Sequence, residues 1–591
     1  MADVIQDYTW NLKKIYPSMA AFKKDFEEVK KMADAMENHK GFFTKSKENL
    51  LMLLKDRDQL LRKMEKLYTY AKMKMDEDNK NSTYVSLHGS TMVLFSEISS
   101  KISFIEPELL KTDYSKILSF MSKSEELRIY DHYFHHIFRL KDHVLKEEEE
   151  NLLARMGQVL NGPSQIFTAF NNADVTFGRV TLKDGKTRTL THGTYISLME
   201  QKDRKVRKEA FEKMYAPYKA FENTLSAAYD FNVRTNVIQA DLRGYKDARA
   251  LALMQDNVDH KVYDNLIKAV NESLPHMHKY MELRKSVLRC KKMYMYDIYQ
   301  KLFTPKDDKY SFDQAVKLMI NGLEPLGREY LDIVKSGISK RWIDVYEKPG
   351  KTSGAYSFGS YDTMPYILLN YGEGLKDVFT LVHEMGHSLH SYYTRKAQSF
   401  IYGGHSIFTA EVASTVNEVL LMKYLLSNAK DKAERKYLLS LYIEDFRTTL
   451  FRQTMFSEFE MIVHEASQKG TILTAPYLNE LYYGLNSKYY GDALEDTPLI
   501  AYEWARIPHF YRAFYVYKYA TGYSMANAIS EKLIRGDLQT KEGYLEFLKS
   551  GEKDYPINLL KIAGVDAGSI KPVKDALSIF SHLIHELESL I

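Results

Sequence analysis

At 591 residues the chain is too long for one ordinary hydrophobic core, so two or more lobes are expected. Hydrophobic residues at 45% and charged residues at 27% describe a soluble globular protein, and 82 Lys+Arg against 78 Asp+Glu give no strong footprint for nucleic acid or a membrane surface. Scarce Gly (28) and Pro (14) point to a mainly helical fold, and 44 Tyr, more than a core needs, suit a water-lined channel.

The start, Met1-Ala2-Asp3-Val4-Ile5-Gln6-Asp7, lacks a basic segment followed by an apolar one, and no stretch is apolar for long enough to cross a bilayer. The expectation is a cytoplasmic protein. From about Leu12 to Leu110, apolar residues at three and four spacing predict packed amphipathic helices, as in Leu50, Leu51, Leu53, Leu54, Leu60 and Leu61. A second helical run begins near Tyr130. It carries His132, His135, His136 and His143, for which a wet helix surface is expected, and the block Glu147-Glu148-Glu149-Glu150, read as a solvated helix start.

Residues 174–191 alternate Val175, Phe177, Val180 and Leu182, then turn at Asp184-Gly185, which predicts a β-hairpin. Helical periodicity resumes after Asp203 and runs past Leu253. Cys290, the only cysteine, excludes an intramolecular disulfide and a cysteine-based zinc site. Ser311-Phe312-Asp313-Gln314 has capping-box spacing and opens another helix. Residues 348–370, rich in Gly, Ser, Tyr and Pro, read as loop or short strand. No fixed-period repeat argues for a solenoid.

His383-Glu384-Met385-Gly386-His387 is an HExxH motif. Positions four apart share one helix face, so His383 and His387 can bind one ion, with Glu384 beside it, placed to take a proton from water. Chance alone puts HExxH in roughly 5% of chains of this composition, so context decides. Glu411 lies 24 residues beyond His387 in another helical pattern and can complete a His₂Glu site. Glu418, seven residues on, is either an acceptor for a ligand histidine or a surface glutamate. His390 and His405 fit the lining of a cleft rather than a ligand position, and His582 and His585 a helix surface.

A third segment, Trp504-Ala505-Arg506-Ile507-Pro508-His509-Phe510-Tyr511 followed by Tyr515-Val516-Tyr517-Lys518-Tyr519, offers neutral N–H and O–H donors of the kind that steady a developing oxyanion. Standing alone it would read as an aromatic helix in a core.

Taken together these residues resemble the oligoendopeptidase F branch of the thimet-oligopeptidase-like metallopeptidases. The resemblance rests on Ser353-Gly354-Ala355-Tyr356-Ser357, Ser360-Tyr361-Asp362-Thr363, Tyr366-Ile367-Leu368-Leu369-Asn370, the HExxH motif, the Glu411 segment and Ile507-Pro508-His509-Phe510-Tyr511. Arg243-Gly244-Tyr245-Lys246 adds to it. It implies a mainly α fold, a helical clamshell enclosing a deep channel, that cuts short peptides internally with one zinc ion per chain. Residues 1–190 form an N-terminal helical region ending in the hairpin, and 191–591 the catalytic region. His383, His387 and Glu411 fall on the ligand positions and Glu384 on the general base. His509 falls on the transition-state histidine, with Tyr515 and Tyr517 as its partners and Tyr511 in reserve. Gly354, Ala355 and Tyr356 lie along the substrate backbone as an edge strand.

The expected partners are short peptides, with neither nucleic acid nor membrane. Two other readings stand beside this one. A non-catalytic peptide binder has no need of Glu384, and a zinc aminopeptidase needs an acidic anchor for the substrate's free amine.

Overall fold

Capped amphipathic helices make up most of the chain. In the computed structural model, which describes residues 8–305 and 309–591, five short strands interrupt them. The leader reading of Met1–Asp7 lies outside the described residues. No helix among those described is long and apolar enough to cross a membrane.

The chain packs into two compact units, each drawn from three segments as far as these are described. The first takes Met1–Asp142, Asp307–Tyr424 and Ile529–Val565; the second takes His143–Lys306, Leu425–Ala528 and Asp566–Ile591. The division expected at residue 190 is drawn along the sequence at the end of the hairpin, which is a different criterion from packing.

In the first unit, helices Met19–Met36 and Lys47–Glu77 start where Ser18 and Ser46 accept the backbone N–H of Ala21 and Asn49. Leu50, Leu53, Leu54 and Leu60 all point inward, while Leu51 and Leu61 lie half-buried at the edge of the same cluster. Tyr366 and Leu368 join that core from a short strand, so the N-terminal helices carry a small sheet.

That sheet has three strands, β3 (Ile343–Asp344), β4 (Tyr356–Phe358) and β5 (Tyr366–Leu368), in the order β3-β5-β4. β5 runs parallel to β3 and antiparallel to β4, with Tyr356 opposite Leu368. β4 is therefore an edge strand. Gly354 and Ala355 lie just ahead of it, Gly354 at φ +84°, and Asn370 Nδ2 donates to the Gly354 carbonyl at 2.8 Å.

In the second unit the predicted hairpin is present but short. β1 (Arg179–Thr181) pairs antiparallel with β2 (Thr187–Thr189) across the Asp184-Gly185 turn. Gly185 has φ +80° and the Asp184 carboxylate accepts the Lys186 N–H, as turn chemistry requires. Helices Arg204–Ala220 and Glu222–Leu242 follow. The acidic block forms the first turn of helix Glu147–Leu160, where negative charge suits the helix dipole. Within the block Glu149 accepts the Lys146 N–H at 3.0 Å, and Glu150 takes a bidentate pair of bonds from Arg243 at 2.7 and 3.0 Å. Tyr245 stacks on His143, so the Arg243-Gly244-Tyr245 motif works as a structural corner.

Candidate metal centre

The HExxH helix runs Leu375–Ala397 and buries Val378, Leu381, Val382, Met385 and Leu389. A second helix, Ile407–Ser427, comes close to it through Ser414 and Asn417. Gly386, inside the motif, permits the approach: a Cβ there would stand 2.6 Å from the Ser414 Cα. Asn417 ties the two helices, donating to the Val382 carbonyl at 3.4 Å while its own oxygen accepts the Tyr330 hydroxyl at 3.0 Å.

This packing brings His383, His387 and Glu411 together, with one ligand atom from each lying within 4.8 Å of the others. The His383 and His387 Nε2 atoms are 3.1 Å apart, and His383 Nε2 lies 3.8 Å from Glu411 Oε2. Two nitrogens held by one tetrahedral zinc at its usual bond lengths would stand roughly 3.3 Å apart, so the set fits that ion. Behind it, His383 Nδ1 meets Glu418 Oε1 at 2.5 Å, the outer carboxylate contact that fixes a ligand histidine's tautomer. Of the two readings left open for Glu418, the geometry selects the acceptor. No other group of three or more potential metal ligands occurs among the described residues.

Strand β4 is fastened to the same helix through Ser357, whose hydroxyl lies 2.8 Å from that of Ser388. At its start, the Tyr356 hydroxyl donates to Asp76 at 2.6 Å.

The second unit holds the other predicted residues. Pro508–Tyr511 is a short 3-10 turn, and the helix that follows begins at Tyr517. His509 lies parallel to the Tyr515 ring at 6.2 Å, with Tyr519 edge-on to both. Tyr517 is buried in the unit's core against Tyr263. Tyr511 stacks on Phe167 at 4.4 Å.

The sequence profile of peptidase family M3 matches residues 197–579, and that of oligopeptidase F matches residues 108–177. The chain belongs to peptidase family M3. It is 42% identical to oligopeptidase PepF of Bacillus subtilis (strain 168), over 100% of this chain and 88% of that protein. It is 41% identical to group B oligopeptidase PepB of Streptococcus agalactiae (serotype III, strain NEM316), over 99% and 97% of the two chains. Among solved structures it is similar to oligoendopeptidase-F from Enterococcus faecium, with a TM-score of 0.75, 36% identity and coverage of 96% and 98%. M3 enzymes are metal-dependent peptidases, and the fold here, mainly α with small sheets, is theirs.

The electrostatics of the M3 site agree with its geometry. Burial pushes the Glu384 carboxyl up to about 7, His383 opposing and Glu411 adding, while the Ser357 N–H works in the other direction. A carboxyl balanced there can both take and release a proton at neutral pH. Burial, with His383 next to it, brings His387 down to about 3, so its ring is neutral and its lone pair free to bind metal. Burial opposes charge on His383, but the Glu418, Glu384 and Glu411 carboxylates together hold it up at about 9, a measure of how much negative potential collects at the site. For His509, burial and then Arg452 and Arg512 lower the pKa, which leaves a neutral N–H donor.

Other histidines are accounted for by packing. His132 lies edge-on to Tyr555 at 4.6 Å, so the wet surface expected for it is an aromatic contact instead, because a distant segment of the chain covers it. His390 is buried and stacks on His405 at 4.3 Å. His582 and His585 are exposed.

Glu460 was not legible in the sequence. Its Oε1 accepts the N–H of Phe514 at 2.6 Å, in the loop between His509 and Tyr515, and Phe514 sits at φ +52°, which non-glycine residues rarely adopt. Oε2 has no partner among the described residues, and burial pushes the carboxyl well up. Nothing local marks a glutamate four residues before His464 as the anchor of a loop some fifty residues later.

Proposed function

We propose that this M3 enzyme is a zinc metalloendopeptidase that hydrolyses internal bonds of short oligopeptides. The observation that carries the reading is the convergence of His383, His387 and Glu411 beside a buried glutamate whose carboxyl is tuned to about 7. His383, His387 and Glu411 would hold the zinc, which when bound would supply Lewis acidity toward the scissile carbonyl and the attacking water. Glu384 takes the proton of that water and passes it to the leaving amine. Glu418, at Nδ1 of His383, fixes the tautomer of the ring, so that Nε2 would be the nitrogen offered to a metal.

The substrate backbone lies along the free edge of β4, beside Gly354, Ala355 and Tyr356, as an added strand. Support comes from β4 being an edge and from its tether to the HExxH helix at Ser357. His509 and a tyrosine donate to the oxyanion. Tyr515, parallel to His509, fits that role better than Tyr517, whose ring is packed in the core. The catalytic region is 191–591, with the family profile over 197–579 in support, and 1–190 precedes it as a helical region.

Internal cleavage is supported by the names of the relatives, which are oligopeptidases and an oligoendopeptidase. An internally quenched peptide blocked at both ends tests it. Cleavage inside that peptide is expected. Cleavage of free-ended peptides alone would make the enzyme an aminopeptidase, and no cleavage of either would make it a binder.

A further inference from the structure

The second unit contains a polar cleft of about 440 Å³ between helices Glu147–Leu160 and Glu222–Leu242. Its floor is one face of the second helix, where Asn232, Thr235, Asn236 and Gln239 follow one another at three and four spacing. The side chains keep hydrogen-bonding capacity in reserve. Asn232 spends its Nδ2 on the Phe510 carbonyl and Asn236 its Nδ2 on His464, which leaves both amide oxygens turned to other uses. Thr235 donates to the Phe231 carbonyl and retains its acceptor. Gln239, half-buried, has no side-chain partner among the described residues. Tyr511 lines the cleft toward Asn232 and Phe510, and Arg243 lines it eleven residues further along the helix.

An array of amide and hydroxyl groups along about 10 Å, the rise from Asn232 to Gln239, matches about three residues of an extended chain at 3.3–3.4 Å each. Such a chain offers alternating N–H and C=O groups, which is what acceptors with one unspent amide donor can bind. Charge selects against a chain end. Arg243, the one cation in the lining among the described residues, is taken by both oxygens of Glu150, so among those residues no free cation is left there for a terminal carboxylate.

We propose that this cleft is a second peptide-binding subsite, one that takes about three residues of substrate backbone without regard to side chain or terminus. The inference rests on the reading of the enzyme as one that acts on short peptides. It gives that enzyme a preference for length, in addition to its preference at the cut.

The test measures binding, so it does not depend on turnover. Doubly blocked fluorescent peptides of roughly six to twelve residues, of mixed neutral sequence, are titrated onto the full-length Glu384→Gln protein. The dissociation constant should drop about tenfold over one step of about three residues and then level off, as two or three net hydrogen bonds less their ordering cost would give. In the same protein carrying Thr235→Val and Gln239→Met, that step should vanish. The ratio of long-peptide to short-peptide affinity is taken within each variant, so a loss of folded protein cancels. A step that persists in the variant overturns the proposal, as does a parent that binds all lengths alike. A free C-terminal carboxylate that binds tenfold tighter than its amide, with the gain lost in the variant, would make the cleft a terminus pocket and also overturn it. Failure of the parent enzyme to cleave any blocked peptide would instead strike at the peptidase reading and leave the binding step to be scored by itself.

Discussion

Replacing Glu384 by glutamine should cost the enzyme its chemistry and give it stability. The side chain is 8% exposed, and burial lifts its carboxyl from an ordinary 4.5 to about 7. Because the folded value lies above the unfolded one, the penalty for holding a carboxylate there is absent below about pH 4.5. It grows as pH rises toward 7 and is complete above that. The shift corresponds to about 3 kcal/mol at 1.36 kcal/mol for each tenfold change. Glutamine keeps the shape and removes the charge. Metal-stripped Glu384→Gln should therefore melt above the metal-stripped parent at pH 8, and the two should melt together near pH 4. With metal restored, kcat on a quenched peptide should fall by about 10²–10⁴, the usual worth of a positioned base. A variant that melts at or below the parent at pH 8 would refute the electrostatic reasoning. One that keeps kcat within a few-fold would refute the assignment of the base.

Glu411→Ala should lower zinc affinity far more than peptide affinity, read by metal content after dialysis, and Glu418→Gln should lower it about 10–100-fold through the ring of His383; a full equivalent of tightly bound zinc in Glu411→Ala would place the third ligand elsewhere. His509→Ala and Tyr515→Phe should each reduce kcat, by about 10²–10³ for the histidine, with little change in KM, whereas Tyr517→Phe, in the core, should be nearly silent in steady-state kinetics. If all three keep kcat within a few-fold, the oxyanion is held by other groups. Glu460→Leu, which leaves the Phe514 N–H unpaired, should lower kcat with little change in KM, while Glu460→Gln, still an acceptor, should restore it; equal loss in both would mean that more than the hydrogen bond is at stake.

The convergence of His383, His387 and Glu411 was legible because its information is local or nearly so. A four-residue spacing on an apolar-flanked helix fixes His383 and His387, and the next helical pattern brings Glu411 onto them through the close approach that Gly386 allows. The hairpin was legible from Asp184-Gly185, although only three residues a side pair, since the chain before Arg179 buries Phe177 without pairing it. The interleaving of two units from six segments was not legible, because periodicity reports which face of a helix is buried and not which distant helix buries it. The same limit hid Glu460, whose role depends on a loop fifty residues away, and left Tyr515 and Tyr517 undecided. Both are tyrosines in one aromatic run, and only packing against Tyr263 separates the core ring from the one parallel to His509.

Dependence of internal peptide cleavage on one zinc ion held by His383, His387 and Glu411 is the property on which the proposed function stands or falls. It is tested most directly by stripping the enzyme with a chelator, removing the chelator, and titrating zinc back while following an internally quenched peptide blocked at both ends. The stripped protein should not cleave, and activity should recover linearly with a break at one zinc per chain, with no recovery in Glu411→Ala at the same free zinc. Cleavage that survives complete metal removal, or zinc-loaded enzyme that leaves the blocked peptide whole, would contradict it.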